Sequence, residues 1–205
     1  MATETATKSP VLIYTEQTPN PESLKFVTNR MLYKGTADFR EQSLAEEWSP
    51  LAQELFEHPF VKGVYISNNF VTITKEFNYG WEDIQLRLKE QIKQWVADEK
   101  TAINEGFAAY MESQSVEEAK SAGYSEADAE IVTKIKDLIE TYVKPAVEMD
   151  GGNIEFKSYD EGVVSVVMQG SCSGCPSSTV TLKAGIEGML KRMVPEVKEV
   201  RAEAG

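Results

Sequence analysis

The chain has 205 residues, 41% of them hydrophobic, and a formal net charge of -12. That length fits one large domain or two small ones, either able to bury a core without disulfide staples. The acidity sets nucleic-acid phosphates and anionic membrane surfaces against it by repulsion, and no apolar run approaches the roughly 18 residues that cross a bilayer. Neither a nucleic acid nor a membrane is therefore an expected partner. The opening "MATETATKSPVLIY" carries Glu4, no Arg and no apolar segment, which fits neither a secretory signal nor a transit peptide, so the expected location is cytoplasmic.

In chain order, "VLIYT" reads as a buried strand, followed by two prolines in turn positions and the alternating pair Leu24 and Phe26. Ser49-Pro50 announces a helix, an N-cap with proline at the first helical position, and it runs through Leu51, Leu55 and Phe56 to stop before Pro59. "GVYISNNFVTITK" predicts a hairpin turning at Asn68-Asn69. That register sets Ile66 opposite Val71 and Val64 opposite Ile73 on one face, with Tyr65, Thr72 and Thr74 on the other. Trp81, Ile84, Leu88, Ile92 and Trp95 recur at helical steps and form a stripe that can cover the sheet.

From Ala97 to Glu126 the pattern weakens, with seven acidic residues against Lys100 and Lys120, and the stretch reads as an acidic linker, partly helical around "SVEEAKSAG". A second domain opens at Ser125, which with Asp128 resembles a capping box. Ile131, Ile135, Leu138, Ile139, Tyr142 and Val143 form the stripe of its helix, and Pro145 predicts a kink or stop. Asp150-Gly151-Gly152 ends that helix. "NIEFKSY" and "VVSVVMQ" then read as a hairpin, and the loop "GSCSGCPSS" leads into a helix from Pro176 whose Leu182, Ile186, Met189, Leu190 and Met193 face one way. A short strand at "VKEVRAE" closes the chain. The expected class is α+β, two small α+β domains joined by an acidic linker, with boundaries at 1–96, 97–126 and 127–205.

Cys172 and Cys175 are the only cysteines. A disulfide between them would close a four-residue loop worth only about 2 kcal/mol of chain entropy, so reaction or metal binding is the better use of the pair. They follow a strand and precede a helix, which sets Cys175 near a helix N-terminus, where unpaired N–H groups and the dipole favour the thiolate. Four readings are open. Buried packing is one, but the loop composition is small and polar. Thiol-disulfide exchange is the second, against which the chain ends 30 residues after Cys175 and no aromatic residue precedes the motif. Zinc and an iron-sulfur cluster are the others, and both ask for about four ligands. The lone His58 lies in the other domain at a helix end, where capping or solvent exposure is the reading. A two-fold axis beside the loop would assemble four thiolates from two chains, in an exposed site that surrenders its contents readily.

The run "IKDLIETYVKPAVEMDGGNIEF" with "VVSVVMQGSCSGCPSSTVTLKAGIEGMLKRMVPEV" closely resembles the C-terminal domain of the Nfu/NifU family of iron-sulfur cluster scaffold and carrier proteins. The segments "TEQTPNPESLKF", "GTADFR" and "SPLAQELFEHPFVKGVYISNNFVTITK" resemble its N-terminal domain. The resemblance implies a non-enzymatic carrier that receives or builds a [4Fe-4S] cluster between two subunits on Cys172 and Cys175 and passes it to apo iron-sulfur proteins. The implied partners are a second copy of the chain, the acceptor apo-proteins and an upstream assembly machinery. Ser171, Ser173 and Gly174 are the implied backbone donors to cluster sulfur. A thiol-disulfide oxidoreductase using the same pair is the alternative. For the first domain the expected role is partner recognition. Tyr65, Thr72 and Thr74, with Phe70 nearby, are a candidate docking surface set against the plainer reading of a half-solvated sheet face. Gly185 and Gly188 in the last helix suggest close approach by another backbone, either the domain's first helix or a partner chain.

Overall fold

The computed structural model describes residues 9–121, 128–173 and 176–204, with the backbone alone for 115–121, 176–178 and 204. Its elements run β1 (Ile13–Gln17), β2 (Ser23–Thr28), β3 (Tyr33–Phe39), α1 (Gln42–Trp48), α2 (Pro50–Phe56), β4 (Val61–Asn68), β5 (Phe70–Lys75), α3 (Trp81–Ala97) and α4 (Phe107–Ser121). They continue with α5 (Ala129–Leu138), a π-helical turn over Ile139–Val143, α6 (Lys144–Met149), β6 (Gly152–Asp160), β7 (Val163–Gly170), α7 (Pro176–Met193) and β8 (Glu199–Ala204).

The first five strands make one antiparallel sheet in the order β1-β2-β5-β4-β3. Its hairpin has the expected register, Ile66 opposite Val71 and Val64 opposite Ile73. Of the two turn asparagines only Asn68 takes a positive φ, 46°, while Asn69 ties the turn to β2 by donating its amide to the Thr28 carbonyl. Leu24, Phe26, Phe39, Val64, Ile66, Val71 and Ile73 line one face against Leu51 and Leu55 of α2 and Ile84, Leu88 and Ile92 of α3. Period-two strands and a period-3.6 helix stripe meet there in a single apolar layer. Ser49 caps α2 as expected, accepting from the Ala52 N–H at 3.0 Å with Pro50 at the first helical position.

Several expectations change. β1 is a half-buried edge strand and not a buried one. β3 and α1 have no counterpart in the sequence reading, because Tyr33–Phe39 alternates poorly around Gly35 and α1 is only seven residues long. Within the stretch read as linker, Ala102, Ile103 and Phe107 enter the first core, and the Ser49 hydroxyl donates to the Ala102 carbonyl at 2.7 Å. His58 is neither a cap nor solvent-facing: it bonds Gln91 at 2.6 Å and stacks on Phe60.

In the second domain β6 and β7 pair antiparallel, and β8 returns parallel to β7 after crossing over through α7. The proposed cap at Ser125 lies outside the described residues, and the helix begins at Ala129. Pro145 neither stops nor breaks it. The π turn ahead of the proline widens the helix where the missing N–H and the ring would have clashed. That wider turn also shifts the phase of the stripe, so Tyr142 is exposed and Val132, Ile135, Ile139, Val143 and Val147 are buried. In α7, Ile186 and Leu190 are buried as expected, Met193 is exposed, and a Cβ placed on Gly185 or Gly188 would meet nothing within 4 Å. The first helix of the domain is therefore not their close neighbour.

Candidate functional site

Cys172 lies two residues past the end of β7. Gly170, at φ 63°, turns the chain out of the strand, and the Ser173 N–H donates back to the Gly170 carbonyl at 3.2 Å, closing a tight turn around the cysteine. Thr179 of α7 donates its hydroxyl to the Cys172 carbonyl at 3.3 Å, tying the turn to the following helix. Ser171 reaches the other way, its hydroxyl donating to the Asp150 carbonyl at 2.6 Å and its N–H to the Gly151 carbonyl at 3.3 Å. The Asp-Gly-Gly turn and the cysteine loop are thus one unit. A Cβ on Gly152 would come within 3.0 Å of Cys172 Sγ, so only glycine leaves room for the thiol there.

The Cys172 thiol is free and 6% exposed, not the open group that the sequence suggests. Burial pushes it above the ordinary thiol value, the Ser171 hydroxyl partly offsets that, and the Asp150 charge adds to it. Cys175, the other expected ligand, and Gly174 lie outside the described residues. The N–H groups of Ser171 and Ser173, expected as donors to cluster sulfur, are both committed to backbone carbonyls.

The polar face of the first sheet lies against this unit. One row of cross-strand neighbours, Lys25 on β2, Thr72 on β5, Tyr65 on β4 and Asp38 on β3, crosses four strands. Its members bond the second domain in turn. The Lys25 ammonium donates to the Met149 carbonyl at 2.9 Å, the Thr72 hydroxyl to the Gly151 carbonyl at 2.8 Å, and the Tyr65 hydroxyl to the Gly152 carbonyl at 3.4 Å. The Gly170 N–H donates to the Asp38 carboxylate. Arg40, paired with Asp38 at 3.0 Å, donates to the Met168 carbonyl at 3.1 Å and to the Ser173 hydroxyl. Burial pushes the Tyr65 phenol far up, so it remains a donor, and lifts the Asp38 carboxyl despite the adjacent guanidinium.

Tyr65 and Thr72, expected on an open or half-solvated face, are each 1% exposed. Gly151 and Gly170 make the approach feasible. Their φ values of 81° and 63° are left-handed, and a Cβ would meet Thr72 Oγ1 at 2.7 Å in one case and Tyr65 Cγ at 2.9 Å in the other. Sequence reasoning missed Lys25, Asp38 and Arg40. A lysine inside the otherwise apolar-patterned "SLKFVT" was the one available signal, because a charge held in a central strand needs a partner on its face.

A five-stranded antiparallel sheet backed by helices, joined to a three-stranded domain with a cysteine turn between strand and helix, defines a two-domain α+β protein. Residues 13–99 match the family described as scaffold protein Nfu/NifU N terminal, and residues 135–201 match the NifU-like domain. NifU-like protein 4, mitochondrial, of Arabidopsis thaliana is 43% identical over 196 residues, 94% of this chain and 66% of the relative. The NFU1 iron-sulfur cluster scaffold homolog, mitochondrial, of Homo sapiens is 38% identical over 191 residues, 93% of this chain and 71% of the relative. Its namesake in Drosophila sechellia is 40% identical over 197 residues, 95% and 66%. The chain spans about two thirds of the length of these relatives. It belongs to the Nfu/NifU family. The mitochondrial names of the relatives do not bear out a cytoplasmic location, and among the described residues no helix is long and apolar enough to cross a membrane.

Proposed function

We propose that this protein is an iron-sulfur cluster scaffold and carrier, holding a [4Fe-4S] cluster as cargo between two copies of the chain on Cys172 and Cys175 and handing it to apo-proteins. The observation that carries the reading is the free Cys172 in a tight strand-to-helix turn with no third ligand beside it. Among the described residues no three His, Cys, Asp or Glu side chains converge. Two thiolates per chain make half of a four-iron site, and a two-fold axis supplies the other half. The family relation and the relatives' names support an iron-sulfur cluster as the cargo.

As a carrier the protein turns nothing over. Its residues position a thiol, exclude water from it and release what it holds. Its proposed partners are a second copy, an upstream cluster source and apo iron-sulfur acceptors. Thiol-disulfide exchange, the competing use of the pair, works from a single metal-free chain and needs a thiol that another protein's disulfide can reach, whereas Cys172 is 6% exposed.

The test is anaerobic reconstitution with iron and sulfide, then size exclusion with metal analysis of each peak. About four irons and four sulfides per dimer, in the dimer peak only, are expected. Cys172→Ser and Cys175→Ser each lose them. Wild-type iron content in either variant overturns the ligand assignment, and insulin reduction by the metal-free monomer would favour the redox reading.

A further inference from the structure

The row Lys25, Thr72, Tyr65 and Asp38 has no evident role in holding either core together. Its bonds reach residues 149, 151, 152 and 170, and Arg40 adds residues 168 and 173. All of these lie in the two segments that frame Cys172. We propose that this polar sheet face is an intramolecular latch, which covers the cysteine loop in the metal-free chain and leaves it when a second copy of the loop docks to share the cluster.

The proposal rests on the carrier reading in one respect, that Cys172 is a ligand. Two loops that share one cluster must bring their thiols to within a few ångströms of a common centre. Here the Tyr65 ring packs on Gly170, its hydroxyl holds the Gly152 carbonyl, and Gly152 in turn abuts Cys172 Sγ. On the other side Arg40 grips Ser173, the next residue in the chain. Cys172 itself packs with the second domain's own core, so the latch acts on the thiol by holding the Gly151–Gly152 turn and Ser173 that enclose it.

The chemistry of the latch suits release. Most of its contacts are hydrogen bonds from side chains to backbone carbonyls, which water replaces at modest cost once the surfaces part. An apolar interface would hold far more firmly. The chain between the domains permits the movement: α4 is anchored in the first core by Phe107, but Met111 to Gln114 are exposed. The occupant that displaces the sheet is a second copy of this chain, because the loop lacks two ligands and an identical loop carries both.

The test uses the full-length, reduced, metal-free protein. Iodoacetamide alkylation of Cys172 is timed and resolved from Cys175 by peptide mass spectrometry. The combined variant Thr72→Val, Tyr65→Phe and Arg40→Met stays close in side-chain volume and removes the donors at three positions. It is expected to alkylate at Cys172 about tenfold faster than wild type, a change of about 1.4 kcal/mol in the closed-to-open balance, and to have a larger radius of gyration by small-angle scattering. Equal rates and equal dimensions, with the first domain melting at its wild-type temperature, overturn the latch. Should the combined variant melt early, Lys25→Met at the far end of the row repeats the measurement, and an unchanged rate there counts against the latch in the same way. Because no iron is present, failure of the latch is distinct from failure of the carrier reading, which the iron content of Cys172→Ser decides.

Discussion

The two faces of the first sheet are buried to nearly the same degree by opposite means. Phe26, Val64, Ile66 and Ile73 on one side and Tyr65, Ser67 and Thr72 on the other are all essentially inaccessible. The first face is sealed by α2 and α3 through apolar contact. Its stability follows from area removed from water, at about 25 cal/mol per Å². The second is sealed by another domain through hydrogen bonds to backbone carbonyls, each worth about 0.5–1.5 kcal/mol net. One face holds the domain folded; the other holds two folded units together and can let go. Depth of burial alone does not tell a core from a reversible contact; the polarity of what is buried does.

Substitutions can break this contrast. The largest effect belongs to the apolar face: Phe26→Ala removes a fully buried ring between the sheet and α3 and is expected to cost about 3–5 kcal/mol. Urea denaturation followed by tryptophan fluorescence, through Trp81 and Trp95, measures it. A loss below about 1 kcal/mol would mean that this layer is not the core of the domain.

Next comes Gly151→Ala, which forces a Cβ into Thr72 Oγ1 at a left-handed φ. Both the turn and the docking suffer, by about 1–3 kcal/mol together. The expected signature is specific: amide exchange rises at residues 149–152 while Thr72, Ile66 and Ile73 in the sheet stay protected. Uniform loss of protection would show that the two faces unfold as one.

Tyr65→Phe and Thr72→Val, taken singly, should cost about 1 kcal/mol or less each in domain docking and leave the melting of the isolated apolar layer unchanged. A double-mutant cycle between them sharpens the point. The two side chains donate to adjacent residues, Gly151 and Gly152, and coupling of about 0.5 kcal/mol or more is expected if one rigid turn receives both bonds.

The smallest effect is a pH dependence at Asp38. Burial raises its carboxyl above the unfolded value, and Arg40 only partly offsets this. The folded state therefore binds the proton more tightly than the unfolded state. The stability that Asp38 contributes is fully present below the ordinary aspartate pKa and is lost as pH rises through the raised folded value. Asp38→Asn should remove that slope, gaining relative to wild type as pH increases through the window just above the usual aspartate range and running parallel above it. Stability curves that diverge in the opposite sense would show that the Arg40 pair outweighs burial.

Much of this was legible in the chain. The hairpin register at Val64, Ile66, Val71 and Ile73 follows from alternation, the α3 stripe from steps of three and four, and the α2 start from Ser49-Pro50, because each depends on neighbours close in sequence. The place of Cys172 between a strand and a helix was equally visible. The elements that escaped differ in cause. β3 is held by pairing with β4 across a register shift near Gly35; the π turn ahead of Pro145 is local, and it escaped because it breaks the 3.6-residue period that the stripe assumed.

What the sequence determined by itself, then, was composition class, family and two α+β domains. Those rest on local periodicity and on residue types at fixed spacing. Only the tertiary structure decided that Cys172 is buried, that Ala102, Ile103 and Phe107 belong to the first core, and that Lys25, Thr72, Tyr65 and Asp38 face the cysteine loop. Strand pairing aligned four residues from distant segments into one row, and a second domain of matching carbonyls met it. No window of sequence contains both halves of that contact.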